Sequence, residues 1–126
     1  MARILVVDDE APIRDILTRR FTQWGHEVAS ADGAEAALEV MAAQAVDIMF
    51  CDVSMPLFNG VWLAQQTRQR WPDTVIVAVS GAQDMGTVTK MREHGAVDYV
   101  TKPIGRETLH QALERALATV ELRGTR

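Results

Sequence analysis

Four stretches of this chain place polar side chains directly after short apolar runs. Asp8-Asp9-Glu10 follows Ile4-Leu5-Val6-Val7, and Asp52 follows Ile48-Met49-Phe50-Cys51. Ser80-Gly81 follows Val75-Ile76-Val77-Ala78-Val79, and Thr101-Lys102-Pro103 closes a run that starts at Val97. Carboxylates crowded at one place repel each other, so at least one should hold its proton more tightly unless a cation joins them. Magnesium is the natural cation: it takes hard oxygen ligands, keeps several waters and often binds one or two carboxylates beside a phosphate. Lys102 would supply a compact positive charge and Ser80 a hydroxyl donor. Acid, metal, hydroxyl and lysine together suit transfer of a phosphoryl group onto a carboxylate, with one carboxylate as nucleophile and the others holding the metal. Each residue alone has a plainer reading, since an Asp at a strand end is usually a cap or loop residue and Lys-Pro a turn. Function outweighs the plain reading only if the fold brings the strand ends together.

The periodicity says that it does. Arg3–Val7 is a nearly unbroken apolar run, as expected of a strand buried on both faces. From Pro12 the pattern turns helical, with Ile13, Ile16, Leu17, Phe21 and Trp24 assigned to one face and Gly25 suiting the exit. Glu27–Ala31 reads as a weaker strand, and Asp32-Gly33 opens an alanine-rich helix that turns Ala37, Leu38 and Met41 inward. A strand over 46–52 leads into a loop over 53–60 containing Pro56, Asn59 and Gly60. A helix from about Val61 is stopped by Trp71-Pro72, and Val75–Val79 is the most β-like segment. A poor helix from about Asp84 to His94 ends at Gly95, Val97–Thr101 is the last strand, and a strong amphipathic helix ends near Leu122. Arg123 to Arg126 reads as a frayed end or the start of a linker, leaving one domain over 1–122. Five apolar strands alternating with five helices imply an α/β fold, a doubly wound parallel sheet covered on both faces. Ligands in such folds bind beyond the carboxyl ends of the strands, where strand order reverses.

Composition narrows the function classes. The chain has 126 residues, 48% hydrophobic and 24% charged, which suits one folded domain with a core. Thirteen basic against seventeen acidic residues give a formal charge of −4 and argue against nucleic acid as this domain's partner. The single cysteine, Cys51, excludes a disulfide framework and a cysteine zinc cluster; beside Asp52 it should point to the other side of the strand, as a core thiol. His26, His94 and His110 are scattered and form no metal or phosphotransfer cluster. No apolar run is long enough to span a membrane, and no leader opens the chain, so a cytoplasmic domain is expected.

The order and spacing of Ile4-Leu5-Val6-Val7-Asp8-Asp9-Glu10, Asp52 with Met55-Pro56 and Gly60, Ser80-Gly81, and Gly95-Ala96-Val97-Asp98-Tyr99-Val100-Thr101-Lys102-Pro103 resemble the receiver domain of two-component response regulators over essentially the whole chain. The resemblance implies the flavodoxin-like, CheY-like three-layer arrangement with strand order 2-1-3-4-5. It implies that Asp52 is the phosphoacceptor, served by a sensor histidine kinase or phosphotransfer protein. Asp9, Asp52 and the Ser54 backbone carbonyl would hold Mg2+, with Asp8 acting through a water. Lys102 would pair with phosphoryl oxygens, and its bond to Pro103 would be cis. Ser80 and Tyr99 would be the switch pair, changing the surface of the fourth helix, fifth strand and fifth helix to control a downstream output domain or effector.

Departures from the family pattern are few. Asn59 and Ile104 replace residues often acidic and aromatic. Ser54 and Ala82 supply neither an acid nor an amide to orient an attacking water, which speaks against very fast self-dephosphorylation. Asp98 matches an acid used in dimers of the winged-helix regulators, but the basic residue expected on the last helix falls at Ala112; a phosphorylation-dependent homodimer stays open. A flavin binder would need a Ser/Thr/Gly-rich loop where Asp8-Asp9-Glu10 stands. A haloacid-dehalogenase-like phosphatase would need an acid where Ser54 stands. The expectation is therefore a phosphoacceptor that catalyses only its own phosphorylation and dephosphorylation, the alternative being a receiver-shaped interaction module that is never phosphorylated.

Overall fold

A computed structural model describes residues 1–54, 60–81 and 85–124. Strands β1 (Arg3–Val7), β3 (Ile48–Asp52) and β4 (Val75–Ser80) are buried along their whole length apart from Arg3, as near-continuous apolar strands should be. β2 (Glu27–Ala31) and β5 (Ala96–Thr101) are the edges and are only partly buried. The sheet runs β2-β1-β3-β4-β5 and every neighbouring pair is parallel. The expected α/β fold and strand order are what the chain adopts.

Single-residue alternation divides the core into two layers. Ile4, Val6, Ile48, Phe50, Val75, Val77 and Val79 face α1 (Ala11–Gln23) and α5 (Arg106–Gly124), meeting Leu17, Phe21, Leu109 and Leu113. Leu5, Val7, Met49, Cys51, Ile76 and Ala78 face α2 (Ala34–Ala43), α3 (Gly60–Arg70) and α4 (Met85–Glu93), meeting Met41, Leu63 and Met91. Phe21 stacks on Phe50 with ring centroids 4.8 Å apart, tying α1 to the central strand. Pro12 sits in the first turn of α1, where its missing N–H costs nothing, and Gly25 leaves that helix at φ +91°, a region open to glycine.

Register aligns the strand ends that carry polar residues. Val7, just before Asp8, lies beside Cys51, just before Asp52. Asp52 lies beside Val79, just before Ser80, and Ser80 lies beside Thr101, just before Lys102. The order of strands reverses between β1 and β3, so the carboxylates stand at the switch point of the sheet.

Two expectations are corrected here. Ile16, assigned to the inner face of α1, is 45% exposed. At 100° per residue it lies off the stripe made by Ile13, Leu17, Phe21 and Trp24, and that stripe already fills the contact with the sheet. The last helix also does not fray after Leu122: it runs through Gly124, because Arg123 Nη1 donates to the Thr74 carbonyl at 3.1 Å and anchors the turn. Expectations on Met55, Pro56, Asn59, Ala82 and Asp84 fall outside the described residues. Among the described residues, no helix is long and apolar enough to cross a membrane.

Candidate functional site

Backbone hydrogen bonds first fix the strand ends to one another. Asp8 N–H donates to the Ala31 carbonyl at 3.1 Å, Val53 N–H to Val79 at 3.0 Å, and Lys102 N–H to Ser80 at 2.7 Å. Asp8 Oδ1 accepts the Glu10 N–H at 2.9 Å, and Asp52 Oδ1 accepts the Ser54 N–H at 3.1 Å. Both carboxylates are therefore oriented by the turn that follows them. Gly60 packs so tightly under β3 that a Cβ there would stand 2.7 Å from the Asp52 carbonyl oxygen, so α3 can start at this point only with glycine.

Lys102 gathers the acids. Its Nζ lies 3.1 Å from Glu10 Oε1, 3.2 Å from Asp8 Oδ2 and 3.5 Å from Asp52 Oδ2. Asp8 and Asp52 are 1% and 3% exposed, so these charges meet where solvent screens them weakly. Asp8 Oδ2 accepts no well-directed hydrogen bond; what offsets its charge is the ammonium at 3.2 Å. Partial burial works against the charged form of Lys102, but the hydrogen bond to Glu10 and the charges of Asp52 and Asp8 outweigh it and hold its pKa above the usual lysine range. Burial pushes the Asp52 carboxyl up to about 6; the Ser54 N–H and Lys102 oppose that, and Asp8 and Asp9 add to it.

Ser80 Oγ is fully buried and has no hydrogen-bond partner among the described residues. A buried hydroxyl left in this state is costly, and it is free among the described residues to donate to an acceptor that arrives at the rim. Asp9 and Ser54 are exposed at the rim, and Tyr99 is half-buried on β5 with the Arg92 guanidinium 5.6 Å from its ring. The Lys102–Pro103 bond is cis.

Oxygen atoms of Asp8, Asp9, Glu10 and Asp52 all lie within 4.8 Å of one another. A donor set made only of carboxylate oxygens fits a hard divalent cation such as Mg2+. Cys51 is not part of it: the thiol faces the α2–α3–α4 layer, and burial, then the charges of Asp52 and Asp8, push its pKa far up, leaving it an inert core residue. The histidines are elsewhere: His26 accepts the Ala2 N–H, His94 contacts Gln65 and His110 meets the edge of Trp24.

Three contacts escaped the reading of the sequence. Glu10 is a partner of Lys102 across 92 positions, Arg14 Nη1 donates to the Asp8 carbonyl at 2.7 Å, and Arg115 pairs with Asp98. Only the acidic run 8–10 hinted at the first, and nothing in the local pattern signals the other two. The Arg115 pair also occupies Asp98 within the chain, while Ala112 is fully buried in the core and faces no partner.

The response regulator receiver domain model matches residues 4–114. The chain belongs to the response regulator receiver family. It is 35% identical over 116 residues to the DNA-binding transcriptional regulator NtrC of Azospirillum brasilense, covering 92% of this chain and 24% of that protein. The crystal structure of the receiver domain of NtrX from Brucella abortus superposes with a TM-score of 0.88 at 32% identity, covering 92% of this chain and 98% of that one. The chemotaxis protein CheY4 of Vibrio cholerae superposes with a TM-score of 0.87 at 27% identity, covering 92% and 98%. This receiver thus spans about a quarter of the length of NtrC, and matches solved receiver domains nearly end to end.

Proposed function

We propose that this receiver domain accepts a phosphoryl group on Asp52 from a sensor histidine kinase or phosphotransfer protein, in a Mg2+-dependent reaction, and acts as a cytoplasmic switch for a downstream output domain or effector. The observation that carries the reading is the grouping of Asp52, Lys102 and Ser80: a buried carboxylate, a partly solvated ammonium 3.5 Å from it, and a buried hydroxyl with no hydrogen-bond partner among the described residues, on adjacent strand ends.

An Asp52 carboxylate oxygen would attack phosphorus while the P–N bond of the donor phosphohistidine breaks, the electron pair returning to the imidazole. The exposed edge of the site, at Asp9 and Ser54, leaves room for the donor. Mg2+, held by Asp9, Asp52, the Ser54 backbone carbonyl and, through a water, Asp8, would supply positive charge that offsets the phosphoryl oxygens. Lys102, already drawn to this rim by three carboxylates, would move its charge onto a phosphoryl oxygen. Ser80 Oγ would then gain its missing acceptor, and Tyr99 would turn inward behind it. Both contacts exist only with the phosphoryl group present, so they shift the balance between two packings of α4, β5 and α5. No turnover of an outside substrate is involved beyond the domain's own phosphorylation and dephosphorylation.

The test is an amide-shift map of the protein with acetyl phosphate, with and without Mg2+. Changes that depend on Mg2+, reach α4, β5 and α5, and vanish in Asp9→Ala are expected. Unchanged spectra, or changes equal in Asp9→Ala, would point instead to an interaction module that phosphorylation does not regulate.

A further inference from the structure

Arg92 and Tyr99 meet across two elements. Arg92 lies in the last turn of α4, and its guanidinium carbon stands over the Tyr99 ring of β5, 5.6 Å from the centroid. At that distance a guanidinium is attracted by the negative face of the ring. The arginine is exposed, and among the described residues this ring is the one group its charge engages. The Tyr99 hydroxyl has no hydrogen bond among the described residues. Packing against the α4 side of the core and the Arg92 contact hold the ring.

The backbone beneath the ring is fastened separately. Asp98 Oδ1 accepts the Tyr99 N–H at 2.9 Å, while Asp98 Oδ2 pairs with Arg115 of α5. β5 is thus held from the α5 side at residue 98, and the freedom left at residue 99 is that of its side chain. Ala78 lies beside Tyr99 and Ser80 beside Thr101, so the Tyr99 and Ser80 side chains leave the same face of the sheet, one row apart. α4 runs back from the end of β4 at Ser80 to the start of β5 at Ala96, so its last turn, with Arg92, is the end farther from Ser80. A pull toward Arg92 therefore opposes a move of the ring toward Ser80.

We infer that Arg92 is a positioning residue that keeps Tyr99 turned away from Ser80 in the unphosphorylated domain, and so sets how readily the domain switches. The inference rests on the phosphoryl switch proposed above. When Ser80 gains its acceptor, the ring can follow it inward only by leaving the guanidinium. A contact made only in the resting packing lowers the apparent affinity for whatever stabilises the other packing. Because Arg92 is exposed, water solvates its charge on release, and the effect is graded rather than all or none.

Tyr99 is the only tyrosine of the chain, so isotope labelling of tyrosine rings gives one set of signals. The probe is beryllofluoride with Mg2+, followed by those signals and by the amides of Ser80 and Thr101, near the other end of α4. Arg92→Gln keeps part of the stem and a good helix former but drops the charge. It should bind beryllofluoride about two- to fivefold more tightly than wild type. Before any is added, its ring signals and its Ser80 and Thr101 amides should already lie part-way toward their bound positions. Arg92→Lys, which keeps a cation, should stay near wild type. In a Tyr99→Leu background, Arg92→Gln should leave the affinity unchanged. Equal affinity and equal resting positions in Arg92→Gln would overturn the inference while wild type still responds to beryllofluoride, as would the same gain in the Tyr99→Leu background. A wild type that gives no response at all would instead overturn the phosphoryl switch, and the role of Arg92 with it.

Discussion

Lys102 Nζ stands 3.2 Å from Asp8 Oδ2, joining the ends of β5 and β1 across the two strands that lie between them. That contact, with those to Glu10 and Asp52, lets one ammonium stabilise carboxylates that would otherwise repel each other in a poorly screened place. The resting site is therefore held by the same cation that phosphorylation would claim, and several consequences can be measured.

Asp52 is the first. Its carboxyl holds a proton up to about pH 6 in the folded chain against an ordinary 3.8, so the folded state binds protons more tightly than the unfolded state. Stability contributed by this group is present at low pH and falls as pH rises from about 4 to about 6. Asp52→Asn removes that loss. It should be more stable than wild type by about 1 kcal/mol at pH 7, the figure being reduced for Lys102 and partial solvation, and by much less at pH 4. Urea unfolding at the two pH values checks this; a gain that does not shrink at pH 4 would contradict it.

Lys102→Ala takes away the cation and leaves Asp8 and Asp52 buried. A loss of about 1–3 kcal/mol at pH 7 is expected, smaller than for a fully buried pair because Lys102 itself is partly solvated. Part of it should return near pH 5, where Asp52 can take a proton. A loss equal at both pH values would show that packing of the lysine stem, rather than its charge, holds the rim.

Much of this arrangement is legible in the sequence. β1, β3 and β4 are apolar without a break, so their type, burial and parallel pairing follow from elementary patterning, and with them the meeting of Asp8, Asp52, Ser80 and Lys102. What stayed hidden depends on side-chain reach rather than period. Ile16 is apolar like Ile13 but lies to one side of the stripe made by Ile13, Leu17, Phe21 and Trp24, and how wide a stripe the sheet can cover is decided by packing rather than by spacing. The Lys102–Glu10, Arg14–Asp8 and Arg115–Asp98 contacts join long, flexible side chains to groups brought near by the fold, and no local spacing encodes them. The end of α5 was missed for the same reason, since Arg123 is anchored by a carbonyl 49 positions away.

Ser80→Ala should separate stability from the proposed switch. Its hydroxyl is buried with no hydrogen-bond partner among the described residues, so Ser80→Ala should leave stability unchanged or raise it by up to about 1 kcal/mol. The same variant should still be phosphorylated but show a reduced amide-shift response over α4, β5 and α5. Thermal unfolding together with the shift map tests both halves. A destabilised variant would mean that the hydroxyl already has a partner in the resting protein.

The most direct test of the central claim is the intact mass of wild type and Asp52→Asn after incubation with acetyl phosphate, with and without Mg2+. A single phosphoryl adduct on wild type, present only with Mg2+ and absent from Asp52→Asn, is the predicted result. An adduct on Asp52→Asn, or none on wild type together with no binding of beryllofluoride, would contradict the assignment of Asp52 as the phosphoacceptor.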